Sequence, residues 1–319
     1  MKTMTTAVFY HAHTAIASIF FKLCCENAAN SLFYGILCKQ NCKYVLIMRK
    51  YMGKFDGALL ASDMDGTLLN SEHEVSRENI EALEYFTKNG GKFALATGRM
   101  IHAINLYAQM LPVNAPIIAL NGAVVYDLAK NEVLHSRPHD RDIVEVVEGL
   151  AREFPELGVE VVMLDRMYVC RGSEVSRIHC EIIRVPYVLT DVRDAEGVCM
   201  KMNLTQEPEC LDRAERYLKA RYPDVFYIVH SDVFYLEVLH AQANKGYGLK
   251  TIAELLGIER KNVYAIGDHF NDVELLNNAG FAFAPANAEP GVKAAANLVV
   301  PSNNEHAIMH VIEYIDGVY

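Results

Sequence analysis

From Ala58 onward, the sequence alternates short apolar runs with amphipathic stretches, the pattern of a parallel sheet with helices on both faces. The predicted core strands lie at residues 58–61, 93–96, 116–120, 263–266, 281–284 and 298–300. Predicted helices lie at residues 76–89, 99–110, 245–256, 271–278 and 304–315. We therefore expect an α/β fold whose core is a doubly wound, Rossmann-like parallel sheet.

The pattern changes between about residues 138 and 237. Amphipathic helices predicted at 140–154, 174–183 and 208–220 are interleaved with alternating strands at 159–164, 167–170, 198–204 and 233–239. This pattern suits an antiparallel sheet with helices on one side. We expect residues 138–237 to form an inserted α+β domain that divides the core into residues 54–137 and 238–319.

Residues 1–53 show no sustained helical or strand period. Their best apolar run, residues 15–21, stops at Lys22 and is too short for a helix that spans a membrane. Met48 and Met52 lie just before the first predicted strand. We expect residues 1–53 to be an extension that is weakly ordered or that results from a misplaced translation start.

The net charge restricts the class of partner, and the cysteine content indicates the compartment. The formal net charge of −10 argues against a nucleic acid or an anionic membrane as the main partner, although a small anionic substrate fits. Eight cysteines, four crowded between Cys24 and Cys42 and four scattered from Cys170 to Cys210, do not form the dense framework of a small secreted domain and favour reduced thiols in the cytoplasm. A zinc site drawing on His11, His13, Cys38 and Cys42 lacks paired ligand spacing. We expect a monomer or a weak homodimer.

Polar residues directly follow four of the predicted core strands. Because the carboxyl ends of parallel strands meet at one edge of a sheet, we expect these groups to converge although they are far apart in sequence. The clusters are Ser62-Asp63-Met64-Asp65-Gly66-Thr67, Thr97-Gly98-Arg99, Asn121-Gly122 and Gly267-Asp268-His269-Phe270-Asn271-Asp272. The sequence therefore predicts a ligand site at this edge.

The first cluster carries two carboxylates, Asp63 and Asp65, followed by Gly-Thr. A solvated turn after a strand would use the same residue types, since Asp, Gly and Thr all favour turns. A calcium loop counted from Asp63 does not fit, because Leu68 stands where that loop requires glycine. A Walker phosphate loop is also missing from the sequence, because Phe93 follows Gly91-Lys92.

The last cluster adds a third carboxylate, Asp268, at the same predicted edge. Three acidic groups in one crevice repel each other strongly unless a cation lies among them. Oxygen ligands with few available histidines favour Mg²⁺ over zinc, so a magnesium site is predicted. Asn271 and Asp272 could instead cap the helix that follows, but this alternative does not account for Asp268.

A lysine, a hydroxyl and an amide complete the predicted site. Lys245 begins a helix, where a cation opposes the macrodipole and needs an anionic partner, unless it is a solvated surface lysine. Thr97 could also cap the helix near Arg99, and Asn121 could belong to a simple turn. Two carboxylates, a divalent cation, a lysine and a hydroxyl are what phosphoryl transfer through an aspartyl-phosphate requires.

The order of these clusters resembles the four motifs of the haloacid dehalogenase-like superfamily of phosphatases. The inserted domain and the Leu236-Glu237 strand before Lys245 are similar to the Cof-type subgroup, which carries a class IIB cap. The resemblance covers residues 54–319. It implies that the inserted domain is a cap that selects the substrate.

The resemblance also implies a role for each matching residue. It implies Asp63 as nucleophile, Asp65 as general acid/base and Asp272 as a support behind the metal ligands. Mg²⁺ would be held by the Asp63 side chain, the Asp65 main-chain carbonyl and Asp268. The implied contacts with substrate or phosphate are Thr97, Gly98, Asn121, Lys245 and Asn271.

Together, these features predict Mg²⁺-dependent hydrolysis of a small phosphomonoester, such as a sugar phosphate, a nucleotide or a cofactor phosphate. One alternative is a sugar phosphomutase of the same fold, in which the phosphoryl group passes to a sugar and not to water. A second alternative is a binding or regulatory module without turnover. The presence of Asp65 argues against the second alternative.

Overall fold

The computed structural model describes residues 53–183 and 185–319. The predictions for the extension, for its start at Met48 or Met52 and for zinc ligands between His11 and Cys42 fall outside the described residues, apart from Gly53. Within the described ranges, no helix has the length and apolar character needed to cross a membrane.

The elements are numbered in chain order. The strands are β1 (Leu59–Ser62), β2 (Lys92–Leu95), β3 (Ile117–Ala119), β4 (Val124–Asp127), β5 (Glu132–Ser136), β6 (Gly158–Val162), β7 (Met167–Arg171), β8 (Tyr187–Leu189), β9 (Lys201–Thr205), β10 (Phe226–Asp232), β11 (Tyr235–His240), β12 (Val263–Ile266), β13 (Phe281–Pro285) and β14 (Leu298–Val300). The α-helices are α1 (Arg77–Lys88), α2 (Ile101–Ala108), α3 (Ile143–Glu153), α4 (Glu174–Ile183), α5 (Pro208–Arg221), α6 (Lys245–Leu256), α7 (Val273–Asn278), α8 (Pro290–Ala295) and α9 (Ala307–Val318).

The core is a five-stranded parallel sheet in the order β14-β13-β12-β1-β2. Side chains alternate across a strand, so Leu60 packs with α1 and α9 on one face, whereas Leu59 and Ala61 pack with α6 and α7 on the other. Both faces are therefore covered by helices. The predicted doubly wound α/β core is confirmed.

The helix ends follow from local side-chain chemistry. The Ser76 hydroxyl accepts a hydrogen bond from the backbone N–H of Asn79 and caps α1. Asn244 caps α6 in the same way, and the helix ends at Gly257, whose φ of 65° lies in the left-handed region that glycine adopts without strain. The predicted span of α6, which brings Lys245 to the sheet edge, is thus confirmed.

The predicted strand at 116–120 is not a member of the central sheet. It forms β3, which pairs antiparallel with β4, and β4 pairs antiparallel with β5. An isolated parallel bridge between Ala96 and Ile118 joins this small sheet to the core. The run is apolar because it is buried, and burial alone does not distinguish membership of one sheet from membership of another.

The inserted cap is built on a six-stranded sheet in the order β10-β11-β9-β6-β7-β8. The antiparallel sheet predicted here is correct for every pair except β7 and β8, which are parallel. Helix α4 connects β7 to β8, and a helical crossover of this kind returns the chain in the same direction. Strand β11 continues to His240, beyond the boundary predicted at 237/238, and the division into domains stays a prediction.

The two faces of the cap sheet differ in character. The outer face packs on α3 and α5 through apolar side chains such as Val161, Met202 and Leu236. The opposite, inner face includes two rows of cross-strand neighbours. One row is Tyr227, Leu239, Lys201, Val162 and Met167, and the other is Val229, Glu237, Asn203, Glu160 and Val169.

Helix α4 lies on the inner face, where Ser176 Oγ is 2.7 Å from Thr205 Oγ1. Thr205 and Asn203 are two residues apart on β9, so their side chains point to the same side of the sheet. The prediction that the cap helices lie on one side is therefore wrong for α4. The strands carry apolar side chains on the inner face as well, for example Val162 and Met167, so their pattern does not restrict the helices to one side.

His139, which follows β5, gives a stability prediction. It is 8% exposed, and its Nε2 lies 3.1 Å from the carbonyl oxygen of Val238. Burial lowers its pKa to about 4, so the folded protein holds the ring neutral, whereas the unfolded chain binds a proton below about pH 6.5. This residue should therefore cost about 2 kcal/mol of unfolding free energy as the pH falls from 7 to 5.

Urea unfolding at pH 7 and pH 5 would measure this contribution. We expect His139→Gln, which retains a donor for the Val238 carbonyl, to lose less stability than the wild type over that interval. His102 is exposed, so His102→Gln is the matched control and should leave the difference unchanged. Equal pH dependence in the wild type and His139→Gln would contradict the prediction.

Candidate active site

Three of the predicted acidic residues meet at the carboxyl edge of the core sheet. Asp63 follows β1 and Asp268 lies just beyond β12, which is the neighbouring strand. The backbone N–H of Asp63 donates to the carbonyl oxygen of Ile266 at 3.0 Å and extends this pairing. Carboxylate oxygens of Asp63, Asp268 and Asp272 lie within 4.8 Å of one another. The predicted convergence of these clusters is present in the structure.

Lys245 lies between two of these carboxylates. Its Nζ is 2.6 Å from Oδ1 of Asp63 and 2.6 Å from Oδ1 of Asp272, and its side chain is fully buried. Burial alone would lower the pKa of Lys245, but the carboxylates of Asp272 and Asp63 raise it above its ordinary value. Lys245 is thus a permanent buried cation, and the alternative of a solvated surface lysine is excluded.

Asp272 is held by both carboxylate oxygens. Oδ1 accepts from Lys245, and Oδ2 accepts from the backbone N–H groups of Asp268 and His269 at 3.0 and 3.1 Å. A Cβ at position 267 would lie 2.4 Å from Asp272 Cγ, so this close approach requires glycine. Asp272 therefore caps the turn that contains it and positions Lys245, but its side chain does not cap the helix that follows, so the capping alternative is wrong for this residue.

One carboxylate oxygen of Asp63 and one of Asp268 accept no hydrogen bond from the described residues. Asp63 Oδ1 accepts from Lys245, and Asp268 Oδ1 accepts from the Thr67 hydroxyl at 2.8 Å. Burial, followed by the charge of Asp272, raises the pKa of Asp63 well above its ordinary value and that of Asp268 to about 7. Three carboxylates beside one ammonium group carry excess negative charge, so these donors fit a divalent cation.

The turn after β1 approaches the same cluster. Gly66 has a φ of 74°, and a Cβ there would lie 2.3 Å from Asp268 Oδ2. Glycine is required at this position, because a side chain would displace the carboxylate. The peptide that joins Asp65 to Gly66 therefore lies beside Asp268, which is compatible with the predicted use of the Asp65 main-chain carbonyl as a metal ligand.

The Asp65 side chain is not part of the three-carboxylate cluster and pairs with Arg99. Arg99 Nε and Nη2 lie 2.8 and 2.5 Å from the two oxygens, and the Asp65 side chain is 49% exposed. The guanidinium also lies over the Tyr107 ring at 5.0 Å from its centroid. The sequence places Arg99 in the Thr97-Gly98-Arg99 cluster, but no role for it was predicted.

The remaining predicted contacts lie at the same edge. Thr97 is 1% exposed, and its hydroxyl oxygen accepts from the backbone N–H of Arg99 at 3.2 Å. Helix α2 begins at Ile101 with Met100 before it, so Thr97 does not cap the helix as the alternative predicted. The carbonyl oxygen of Gly98 accepts a hydrogen bond from the cap. Asn271 donates to Asn121 Oδ1 at 3.1 Å, which joins the third and the last of the four clusters through their amides.

Two charged cap residues reach the core edge from the inner face. Lys201 Nζ lies 3.0 Å from the Gly98 carbonyl oxygen and 3.1 Å from Oε1 of Glu237. Glu237 Oε2 accepts from the side-chain amide of Asn121. Sequence reasoning assigned no role to either residue. The available signal was a single charged side chain in an otherwise apolar or neutral strand, since β9 reads KMNLT and β11 reads YLEVLH.

Comparison with known proteins identifies the family. Residues 60–312 match the model of the haloacid dehalogenase-like hydrolase family. The chain belongs to that family. This match confirms the family predicted from the sequence, the α/β core with an inserted cap, and the hydrolase class.

The chain aligns with individual members of the haloacid dehalogenase-like family over nearly the whole length of each member. YxeH of Bacillus subtilis is 33% identical over 261 residues, which are 80% of this chain and 96% of that protein. The 5-amino-6-(5-phospho-D-ribitylamino)uracil phosphatase YbjI of Escherichia coli is 26% identical over 261 residues, 81% of this chain and 95% of YbjI. The solved structure of the subclass IIB sugar phosphatase BT4131 has a TM-score of 0.71 at 23% identity and covers 82% of this chain and 100% of BT4131.

Proposed function

We propose that the protein is a Mg²⁺-dependent phosphatase that hydrolyses a small phosphomonoester through an aspartyl-phosphate on Asp63. The observation that carries this proposal is the buried Asp63–Lys245 pair beside Asp268. It combines an oriented nucleophile, a fixed cation and an additional carboxylate in one place. Membership of a hydrolase family supports the same chemistry.

Asp63 is the proposed nucleophile. Lys245 donates to Oδ1 and fixes the orientation of the carboxylate. The lysine charge also offsets the repulsion between the carboxylate and the phosphoryl oxygens, and Asp272 keeps that charge in place. Attack by the Asp63 carboxylate on phosphorus forms the acyl phosphate bond and breaks the bond to the leaving oxygen.

The donors fit a magnesium ion. The unengaged oxygens of Asp63 and Asp268, with the main-chain carbonyl of Asp65, would hold it. When bound, Mg²⁺ supplies positive charge that neutralises the phosphoryl oxygens. Asp272 is unsuitable as a direct ligand, because its two oxygens already accept hydrogen bonds.

Asp65 is the proposed general acid/base. It protonates the leaving oxygen and then removes a proton from the water that attacks the acyl phosphate, which releases phosphate and regenerates Asp63. Both of its oxygens accept hydrogen bonds from Arg99, which holds the carboxylate in one orientation. We infer that Arg99 positions Asp65 between turnovers.

The phosphate would be held by donors at the same sheet edge. The Thr97 hydroxyl, the Gly98 backbone N–H, Lys245 and the Asn271 amide are proposed as its contacts, and Asn121 orients Asn271. The named activities of YbjI and BT4131 involve a ribityl or sugar phosphate, which supports a small phosphorylated metabolite as the substrate here. The candidates are a sugar phosphate, a nucleotide or a cofactor phosphate.

The cytoplasm is the proposed location. The described cysteines Cys170, Cys180, Cys199 and Cys210 are all free thiols, which fits a reducing compartment. The expectation of a monomer or a weak homodimer stays a prediction.

Phosphate release from a metabolite panel tests the proposed function. We expect release with Mg²⁺ and loss of activity to background in EDTA, with recovery when excess Mg²⁺ is added, because the donors collected at Asp63 and Asp268 are oxygens. The panel should be repeated with a sugar bisphosphate, and products should be separated. Formation of an isomeric sugar phosphate without free phosphate would indicate a phosphomutase, and no reaction with any ester would contradict the proposal.

A further inference from the structure

Three polar residues lie side by side on the inner face of the cap sheet. Glu237 on β11, Asn203 on β9 and Glu160 on β6 are directly opposite one another in register. Cross-strand neighbours of this kind have Cβ atoms about 4.5–5.5 Å apart. Apolar side chains of Val229 and Val169 end the row on either side, so these three residues form an isolated polar strip.

One end of this polar strip touches the core edge. Glu237 accepts from Asn121, whose Oδ1 in turn accepts from Asn271. Glu237, on β11, is the residue that meets the proposed phosphate contacts. Asn203 lies opposite it on β9, the next strand of the cap sheet. A leaving group that extends from the phosphate into the cap would run along the strip.

The two carboxylates of the strip are already satisfied. Glu237 is paired with Lys201 and accepts from Asn121. Glu160 is fully buried and accepts from Asn203 Nδ2 at 3.0 Å, and its other oxygen lies 2.9 Å from His179 Nδ1. Neither carboxylate needs a further donor.

Asn203 differs, because its Oδ1 is buried and has no hydrogen-bond partner among the described residues. The residue is 6% exposed. Its orientation is fixed by Glu160, since a flipped amide would bring two acceptor oxygens together. A buried acceptor without a donor is unfavourable, so a donor from a ligand or from water is expected there.

We propose that Asn203 is a specificity-determining residue that accepts a hydrogen bond from a hydroxyl group of the leaving group. This inference rests on the proposed phosphatase function and specifies its substrate class as a phosphorylated sugar or polyol. The hydroxyl would supply the donor that Asn203 Oδ1 lacks. An alkyl leaving group of the same length would leave that acceptor unpaired and should be a poorer substrate.

The charges of the strip restrict the substrate further. The strip carries the two negative charges of Glu160 and Glu237. The ammonium group of Lys201 is the positive charge beside them, and it is already paired with Glu237. A second phosphate or a carboxylate on the leaving group would meet a negative surface without a free cation on these two rows of the described inner face. We therefore expect monophosphates to be preferred over bisphosphates of the same sugar.

Kinetics with paired esters would test this inference. The wild type should hydrolyse ribitol 5-phosphate with a kcat/KM about 10-fold to 100-fold above that for n-pentyl phosphate. Asn203→Leu should remove most of this difference, mainly by loss of activity on ribitol 5-phosphate. Activity on p-nitrophenyl phosphate, whose leaving group has no hydroxyl donor, should be unchanged within about 2-fold.

Thr205→Val is the matched control. Thr205 lies on the same strand and face, but its hydroxyl is already bonded to Ser176, so the ratio between the esters should stay that of the wild type. The inference is overturned if Asn203→Leu lowers all three activities equally, or if the wild type hydrolyses n-pentyl phosphate as well as ribitol 5-phosphate. The wild-type comparison holds even if the variant does not fold. A wild type that hydrolyses none of the esters would instead remove the proposed function.

Discussion

Replacing Asp63 with asparagine should reduce phosphate release by more than about 1000-fold while leaving the fold intact. The amide has nearly the same shape and can still accept from Lys245 through Oδ1, but it cannot form an acyl phosphate. Burial already raises the pKa of Asp63, so its charge costs stability in the folded state. The variant should therefore melt at the wild-type temperature or above it.

Phosphate release and thermal unfolding of Asp63→Asn measure the two parts of this prediction. Asp212→Asn applies the same substitution to an exposed cap aspartate and should retain full activity. Covalent labelling adds a direct readout: quenched wild-type enzyme should carry a phosphoryl group on Asp63, and the variant should carry none. Turnover by Asp63→Asn at wild-type levels would exclude Asp63 as the nucleophile.

Replacing Asp65 with alanine should separate the two half-reactions. Turnover of a sugar phosphate should fall by about 10² to 10⁴, because its alkoxide leaving group needs a proton. With p-nitrophenyl phosphate, the first step should survive, since that leaving group departs without protonation. The second step still needs a base to activate water, so a burst of one p-nitrophenol per enzyme should precede a slow steady state.

Rapid mixing with p-nitrophenyl phosphate would detect this burst. Arg99→Lys is an informative companion variant, because it retains a cation but cannot bind both Asp65 oxygens at once. It should show a smaller loss than Asp65→Ala. An equal loss on both esters in Asp65→Ala, without a burst, would argue against protonation of the leaving group by this residue.

The parts of the fold that could be predicted are those with strong local signals. The helix at Lys245–Leu256 has a capping Asn244 before it and Gly257 after it, and its predicted bounds agree with the structure. Strand β12 is a short apolar run between turn residues, and its bounds also agree. In each case, residues close in sequence determine the element.

The parts that could not be predicted depend on distant contacts. The partner of β3 is β4 and not a core strand, and no residue within the 116–120 run encodes this choice. The short strand β8 is exposed along its length and lacks the alternation that marks a strand. The crossover helix α4 sets the parallel pairing of β8 with β7. The sequence predicts this helix but not which two strands it connects.

The candidate site divides in the same way. Asp63, Asp268 and Lys245 follow predictable strand and helix ends, so their convergence could be inferred from topology. The pairing of Asp65 with Arg99 could not, because it depends on side-chain rotamers across two loops. The position of Lys201 over Gly98 depends on how the cap docks on the core, and the sequence gives no local signal for docking.

The position of β1 between β2 and β12 in the core sheet has a consequence for how this protein is made. Leu59 pairs with Lys92 on one side, but its partner on the other side is Val263. At about 5–20 residues per second, a ribosome needs about 10–40 s to synthesise the chain between Leu59 and Val263. During that interval the nascent β1, which reads LLAS, presents unpaired backbone N–H and C=O groups along one edge, the kind of edge on which strands from other chains assemble. The insertion of the cap before β12 thus exposes the half-built core to aggregation at the ribosome, and the nucleophile acquires its Lys245 and Asp268 neighbours only in the last stage of synthesis.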